Sequence, residues 1–261
     1  MNEHLNKIIC GDCLTIIPDL PDNSIDLSIT SPPFNVNLTG YDTYMDNKRH
    51  QDYINWLKSI FQIIYAKLKV GGRICINIGD GHNGKVHTHV DIVNFMCEIG
   101  YLHMTTIIID KENTSNRASW GSFKSPLAPS FPTPFEYILI FVKESFSLQD
   151  KGETDLTKSE FIKWSLALWK FSKQDYKRST RLITSKSHPA PFPDVLPMRL
   201  IKMLSWKNAV VLDPFMGSGS TARACKRLGR NYIGIDISEK YCKFAENSLN
   251  QIRVITQSLF E

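Results

Sequence analysis

Two short turns carry the residue types that can do chemistry in this chain. The first is Thr30-Ser31-Pro32-Pro33-Phe34-Asn35, directly after the apolar run Ile25-Asp26-Leu27-Ser28-Ile29. The second is Asp213-Pro214-Phe215-Met216-Gly217-Ser218-Gly219-Ser220, directly after Ala209-Val210-Val211-Leu212. Each reads as a turn at the carboxyl end of a buried strand, where ligands sit in open α/β sheets.

In the early turn, the two prolines have fixed φ and no backbone N–H, while their carbonyls still accept hydrogen bonds. Ser31 adds a hydroxyl acceptor and Phe34 an aromatic face. In isolation, Ser-Pro-Pro reads as a rigid turn that closes a strand. Its position after a buried strand, in a chain with a separate nucleoside site, favours chemistry. An exocyclic base amine is a poor nucleophile because its lone pair is delocalised into the ring. Acceptors aimed at its two N–H groups favour a more tetrahedral nitrogen with the lone pair directed outward. Ser31 Oγ and the Pro32 carbonyl are suited to be those acceptors, and Phe34 to stack on the base. A base inside a duplex cannot reach such a turn and must be flipped out. Catalysis of this kind rests on positioning and polarisation, without a covalent enzyme intermediate.

In the late turn, glycines let the backbone approach a ligand closely. The next strand ends in Gly234-Ile235-Asp236, whose carboxylate is placed to accept hydrogen bonds from ribose hydroxyls. The pair reads as a nucleoside-binding unit. Its glycine spacing also fits a dinucleotide fingerprint, so a nicotinamide (NAD)-dependent oxidoreductase is the competing reading. That reading leaves Ser-Pro-Pro-Phe unused. A phosphate-binding P-loop is disfavoured because no Gly-Lys-Ser/Thr follows.

The elements that must hold these turns alternate between strand and helix patterns. Strands are predicted at residues 7–10, 25–30, 73–78, 105–109, 137–142, 210–212 and 232–235. Helical spacing covers 52–68, 89–99, 196–204, 221–228 and 239–250, with Gly71-Gly72 stopping the first and Gly100 the second. Such alternation argues for a mainly parallel, doubly wound sheet. Residues 111–134, rich in Ser, Asn, Thr and Pro, are too long for a tight connection and read as a functional loop.

Composition sets outer bounds. The chain has 261 residues, 42% hydrophobic, enough for a large α/β domain with a modest insertion. No apolar run is long enough to span a bilayer. The polar start, Met1-Asn2-Glu3-His4, lacks a signal-peptide core. The cysteines at 10, 13, 75, 97, 225 and 242 read as reduced core thiols of a cytoplasmic protein. A net charge of +5 permits a nucleic-acid partner without demanding one. Lys158, Lys163, Lys170, Lys173, Lys177, Arg178 and Arg181 are interleaved with Phe161, Trp164, Trp169, Phe171 and Tyr176. There the aromatics read as a helix face, capped by Ser159, with Phe161, Trp164, Leu168 and Trp169 turned to the core. The basic residues after Trp169 read as a phosphate-contacting surface. Asp80, His82, His87 and His89 cluster near a strand end, but nothing completes a ligand set and no metal is expected. Asp80 is expected to border the base pocket.

Taken together, these motifs resemble the amino-methyltransferases of DNA, which methylate cytosine N4 or adenine N6 using S-adenosyl-L-methionine. The family's catalytic signature is Asp, Asn or Ser, then Pro-Pro, then Tyr or Phe, and Ser31-Pro32-Pro33-Phe34 matches it. Asp213-Pro214-Phe215-x-Gly217-Ser218-Gly219 is similar to its cofactor signature. The order, catalytic turn first and cofactor turn last, resembles the circularly permuted β class. His188-Pro189-Ala190-Pro191-Phe192-Pro193 resembles the segment before the cofactor strand. Gly11-Asp12-Cys13 resembles the acidic turn that reads the cofactor adenine, and Asp236 the ribose-binding acid.

The resemblance implies catalytic roles for Ser31, Pro32, Pro33 and Phe34. It implies cofactor contacts from Asp12, Cys13, Phe192, Pro193, Asp213, Pro214, Phe215, Gly217, Ser218, Gly219, Ser220 and Asp236. It further implies a Rossmann-like, mostly parallel seven-stranded sheet with one antiparallel strand at 137–142. A single catalytic domain, 1–261, would carry target-recognition insertions at about 111–134 and 151–187. Within the family, Ser before Pro-Pro tends to accompany cytosine N4 methylation, so cytosine is expected and adenine N6 is the runner-up. Double-stranded DNA is the implied substrate, and a cognate restriction endonuclease acting on the same site is a partner the resemblance admits. Monomer and homodimer both stay open. A catalytically dead DNA-binding module, or methylation of RNA or a protein amide, are weaker alternatives.

Overall fold

A computed structural model describes residues 3–37, 43–44, 46–81, 84–111, 121–131, 133–171, 175 and 193–252. Its centre is one mixed sheet. The strands are β1 (Lys7–Cys10), β2 (Ile25–Thr30), β3 (Leu68–Ile78), β4 (Tyr101–Asp110), β5 (Phe135–Lys143), β6 (Leu168–Lys170), β7 (Val210–Asp213) and β8 (Asn231–Asp236). They lie in the order β1-β8-β7-β2-β3-β5-β4-β6. β5 runs antiparallel to both of its neighbours, and every other pairing is parallel.

The sheet therefore has eight strands where seven are expected, and the single antiparallel strand is the one the sequence reading selects. The extra strand corrects the reading of residues 159–169 as one helix. Helix α4 stops at Trp164, and Trp169 lies on β6, paired parallel to β4 through Ile109. The cap is Thr157, in a reciprocal capping box with Glu160, and not Ser159. Phe161 and Leu168 are exposed, while Trp169 and Phe171 are buried. Mixed aromatic and basic spacing suits a helix, but tertiary pairing along β4 overrides it here. A second correction concerns Gly71-Gly72, which do not end a helix. They sit inside β3, where the register with β2 shifts between Ile25↔Leu68 and Leu27↔Arg73. Cys10 and Cys97 are exposed, contrary to the core reading, whereas Cys13, Cys75, Cys225 and Cys242 are buried.

The remaining helices are α1 (Cys13–Ile16), α2 (His50–Lys67), α3 (Thr88–Ile99), α5 (Val195–Leu204), α6 (Ser220–Leu228) and α7 (Glu239–Asn250), with α4 at Lys158–Trp164. Helical spacing brings Tyr53, Leu57, Ile60, Phe61 and Ile64 onto one stripe of α2. That stripe packs with Ile92, Phe95 and Met96 of α3 on Ile74, Ile76, Leu139 and Phe141 of the sheet. Alternate residues on the opposite face, Leu27, Ile29, Cys75, Ile138, Ile140 and Val211, meet α5 and α6. From β2 the chain crosses over α2 to β3, and from β7 it crosses over α6 to β8, in opposite directions. β2 and β7 are adjacent, so the sheet reverses between them, and a crevice opens beyond their carboxyl ends. No helix among the described residues is long and apolar enough to cross a membrane.

One buried cation fixes the helices around that crevice. Arg223 on α6 is fully buried and bonds Asp194 at the start of α5 through Nε (3.2 and 3.1 Å) and Nη2 (2.7 Å). Its other donors reach the Ser218 carbonyl, Ser220 Oγ and Ser248 Oγ, so the glycine turn, α5 and α7 share one guanidinium. Asp194→Ala leaves that charge without its carboxylate, which is expected to cost about 3–5 kcal/mol. Denaturant unfolding reads the loss. Replacing Arg223 by Met in the same background should recover part of it, and an additive double variant would contradict the pairing.

Candidate functional site

At the carboxyl edge of the sheet, one cavity of about 310 Å³ spans the ends of β1, β2, β3, β7 and β8 and the start of β5. Asp12, Cys13, Ser31, Pro32, Pro33 and Phe34 line it. So do Pro214, Phe215, Gly217, Ser218, Ser220 and Asp236. The two sequence-selected turns, far apart in the chain, therefore share a single cavity.

What joins them is Asp213, the last residue of β7. Thr30 at the end of β2 donates to its Oδ1 (2.9 Å), Thr221 on α6 donates to its Oδ2 (2.6 Å), and Phe215 N–H also bonds Oδ1 (3.2 Å). Ser28 Oγ donates to the Leu212 carbonyl (3.0 Å) one step back along the same strand pair. Asp213 lies behind the cavity wall as a buried clamp, and so differs from a ligand-contacting residue. Gly219, at φ 86, does not line the cavity either; it starts α6, where an added Cβ would come within 2.8 Å of Ala245 Cβ. Pro193 is buried off the cavity, its carbonyl capped by Leu196 N–H. Phe192 and His188 lie outside the described residues, as does His82. The same holds for Lys173, Tyr176, Lys177, Arg178 and Arg181 of the basic surface.

The glycine turn is stapled to β8. Met216 N–H bonds the Ile235 carbonyl (2.9 Å) and Gly217 N–H bonds Asp236 Oδ2 (2.7 Å). Ser238 N–H takes Asp236 Oδ1 (2.9 Å). Gly234 permits this approach, since a Cβ there would overlap Met216 Sδ at 2.3 Å. Gly11 N–H bonds the Asp236 carbonyl (2.9 Å), which places Asp12 beside Asp236. Asp12 Oδ1 caps α1 through Leu14 N–H (2.9 Å). Cys13 lines this end as a neutral thiol, pushed up to about 12 mainly by burial and further by the Asp12 charge.

The Ser31-Pro32-Pro33-Phe34 turn is held from beneath. Tyr53 Oη donates to the Pro33 carbonyl (2.6 Å), while the Pro32 carbonyl accepts no hydrogen bond from the described residues. Asp46 braces the segment after Phe34 by accepting from Asn35 N–H (2.8 Å) and Val36 N–H (3.1 Å). Trp56 and Phe215 form an aromatic wall with rings 5.4 Å apart, and Tyr44 stacks on Trp56 at 5.6 Å. Asn77 Nδ2 donates to Ser31 Oγ (3.4 Å) and to Glu136 Oε2 (3.1 Å), and Lys111 Nζ pairs with Glu136 Oε1.

Asn77, Glu136 and Lys111 escape the sequence reading, although a polar Asn within the apolar run Ile74-Cys75-Ile76-Asn77-Ile78 is a legible signal. Asp80 does not line the cavity. Its carboxylate is taken by His89 Nδ1 (2.7 and 2.9 Å) and His89 N–H (3.2 Å), and His89 stacks on Tyr137. The strand argument for Asp80 holds instead for Asn77, three residues earlier and inside the sheet.

The donor and acceptor set fits a nucleoside sulfonium. Two carboxylates, Asp12 and Asp236, offer acceptors suited to hydroxyl and amine donors; a backbone turn without a phosphate-binding lysine sits between them; the wall built by Trp56, Phe215 and Tyr44 is aromatic.

Comparison with known proteins follows the same line. A family model described as DNA methylase, of the N6/N4 type, matches residues 25–247. The type II methyltransferase M.MjaVI of Methanocaldococcus jannaschii is 40% identical over 172 residues, 65% of this chain and 87% of that protein. M.MjaI of the same organism is 30% identical over 282 residues, covering 94% of this chain and 91% of the relative. Among solved structures, a Thermus thermophilus protein assigned as a DNA modification methylase, complexed with S-adenosyl-L-methionine, aligns with a TM-score of 0.66. It is 25% identical, over 94% of this chain and 93% of that one.

The clamp makes stability depend on pH. Burial raises Asp213 from 3.8 to about 7, against the hydrogen bonds from Thr221, Thr30 and Phe215, which lower it. Between those two values the folded protein keeps a proton that the unfolded chain has released. Stability from this group therefore falls as pH rises through that window and levels off above it. Asp213→Asn cannot titrate, so thermal melts at about pH 5 and pH 8 should show it losing less stability than the parent over that interval. Parallel losses in both proteins would rule out burial of this carboxyl as the cause.

Proposed function

The chain belongs to the N6/N4 DNA methylase family, and on that premise we propose that it methylates cytosine at N4 in flipped-out duplex DNA. DNA methyltransfer and S-adenosyl-L-methionine dependence come with the family; the choice of base and the residue roles are the proposal. One observation carries it: Ser31 and Pro32 line the same cavity as Asp12, Gly217 and Asp236.

S-adenosyl-L-methionine supplies an electrophilic methyl carbon. Asp236 would accept hydrogen bonds from the ribose hydroxyls, and Asp12 from the adenine amine, with Cys13, Pro214, Phe215, Ser218 and Ser220 packing around them. Ser31 Oγ and the Pro32 carbonyl would each accept one N–H of the target amine. That draws the nitrogen toward a tetrahedral geometry and frees its lone pair from the ring. Phe34 would stack on the base, and Pro33, tethered by Tyr53, keeps the turn from yielding. Expulsion of water from the aromatic side of the cavity strengthens these polar contacts.

A neutral serine at position 31 favours cytosine, following the family tendency, and adenine N6 is the second reading. The dinucleotide reading of the glycines falls away with the family assignment. Target reading falls to 111–134 and 151–187 in this proposal. In the first, Phe123, Leu127 and Phe131 stand out as exposed apolar side chains, suited to a DNA groove or an unstacked base step. The described part of the second contributes α4 and β6 to the fold itself. The named relatives M.MjaVI and M.MjaI are type II methyltransferases, so a restriction endonuclease that cuts the same site is the proposed partner.

Ser31→Ala is expected to lower methyl transfer by at least about 100-fold, the usual scale for removing one positioned polar group at a reacting centre. Its affinity for S-adenosyl-L-methionine should stay within about twofold, read by calorimetry. Asp236→Ala should instead weaken cofactor binding by at least about tenfold, as fits a charged hydrogen bond worth about 1.5–3 kcal/mol. Mass spectrometry of nucleosides from the methylated DNA identifies the base: N4-methylcytosine supports the proposal, and N6-methyladenine alone refutes the cytosine reading.

A further inference from the structure

Along one wall of the cavity, four side chains form a hydrogen-bonded row that crosses four neighbouring strand ends. Ser31 follows β2, Asn77 is the penultimate residue of β3, Glu136 is the second residue of β5, and Lys111 follows β4. The links are Asn77 Nδ2 to Ser31 Oγ (3.4 Å), Asn77 Nδ2 to Glu136 Oε2 (3.1 Å) and Lys111 Nζ to Glu136 Oε1. All four line the cavity.

We propose that Lys111, held in place by Glu136, reads the ring edge of the target base and selects cytosine over adenine. The inference rests on the cytosine-N4 reading and names the residue that enforces it.

The argument begins with the amide. Glu136 accepts only, so the nitrogen of Asn77 must face it, and the same nitrogen faces Ser31. Asn77 Oδ1 is left buried without a hydrogen-bond partner. The amide is thereby a spacer with one orientation. It fills one lone pair of Ser31 Oγ and leaves the other for the target amine. Beyond it stands the ammonium of Lys111, which has three N–H donors, one of them directed at Glu136.

The two candidate bases differ in what they present there. Adjacent to the amine, both carry a ring-nitrogen acceptor, N3 in cytosine and N1 in adenine. One ring position further, cytosine has its O2 carbonyl and adenine a C–H. A cationic donor placed past the amine is thus matched twice by cytosine and only once by adenine. Against adenine, a half-buried ammonium would face an apolar hydrogen, and sites built around a hydrogen bond reject the analogue that lacks it. Among the described residues lining the cavity, the other cation is Lys48, and its ammonium lies over the Tyr44 and Trp56 rings at 5.6 and 6.0 Å. Lys111 is the cation joined to Ser31 through the hydrogen-bonded row.

The test uses the full chain on genomic DNA from a host lacking these modifications, with both methylated nucleosides quantified by mass spectrometry. Wild type should form N4-methylcytosine. Lys111→Met should lower its initial rate of formation at least about tenfold and raise the N6-methyladenine share, while S-adenosyl-L-methionine affinity stays within about twofold. Glu136→Gln keeps the size and the contact with Asn77 but releases Lys111. It should shift the nucleoside ratio in the same direction, and it carries the test should Lys111→Met fail to fold. Wild-type N4-methylcytosine with unchanged rate and ratio in the folded variants overturns this inference alone. N6-methyladenine as the sole wild-type product overturns the cytosine reading as well.

Discussion

Everything at the site depends on one carboxyl group. Asp213 receives Thr30 from β2 and Thr221 from α6, and Thr30 lies 183 residues away in the chain. Parallel strands offer no local turn to set their relative height, so something must fix how far β2 and β7 slide past each other. Two ladder positions, Leu27↔Val211 and Ser28↔Leu212, supply part of that register. The threonine–aspartate contact completes it at the very end of the strands, where each chain leaves the sheet for its turn. A shift of one residue would turn Ser31 away from the cavity. The group that sets this register is costly to keep charged, since it is fully buried and near Asp236, and three donors are needed to hold it.

Around this clamp, charge is kept behind the walls. Arg223 is enclosed by Asp194 and three further acceptors, and bonds the backbone carbonyl of Ser218 from the far side of the glycine turn. The turn's outer face, with Gly217 and Ser218, is then open to a ligand. On the opposite side the wall is aromatic, built from Trp56, Phe215 and Tyr44. Between the acidic end at Asp12 and Asp236 and the row from Ser31 to Lys111, the cavity changes character along its length. That gradient suits two different partners, a hydroxyl-rich nucleoside at one end and a planar heterocycle at the other.

The placement of β5 explains why the second group could be assembled at all. Because β5 is antiparallel, its beginning, not its end, lies at the carboxyl edge of the sheet. Glu136 therefore meets Asn77 across the β3–β5 pair and Lys111 across the β4–β5 pair. A parallel strand in that position would bring Lys143 and Glu144 to the edge instead, and reverse the sign of the first charge there. The one antiparallel strand is thus part of how this end of the cavity acquires its charge.

Local pattern in the chain determined a great deal. Apolar runs ended by Ser-Pro-Pro and Asp-Pro-Phe-x-Gly announced the two turns, because prolines and glycines restrict or free the backbone regardless of context. Periodicity located most helices and seven strands, since each buries one face of its own. Asp236 was legible as an acid at the end of a short strand, and Asp12 through the family resemblance of Gly11-Asp12-Cys13. What pattern could not supply is which strands become neighbours. That decided the difference between Asp213 as a ligand contact and as a buried clamp, and moved the expected role from Asp80 to Asn77. It also turned Leu168–Lys170 into a strand, because β4 offered an unpaired edge that local aromatic spacing does not report. Lys111 and Glu136 are 25 residues apart and ordinary in composition. Only the folded sheet places their charges beside Ser31, because side-chain proximity across strands depends on register and direction, and neither is written in any single segment.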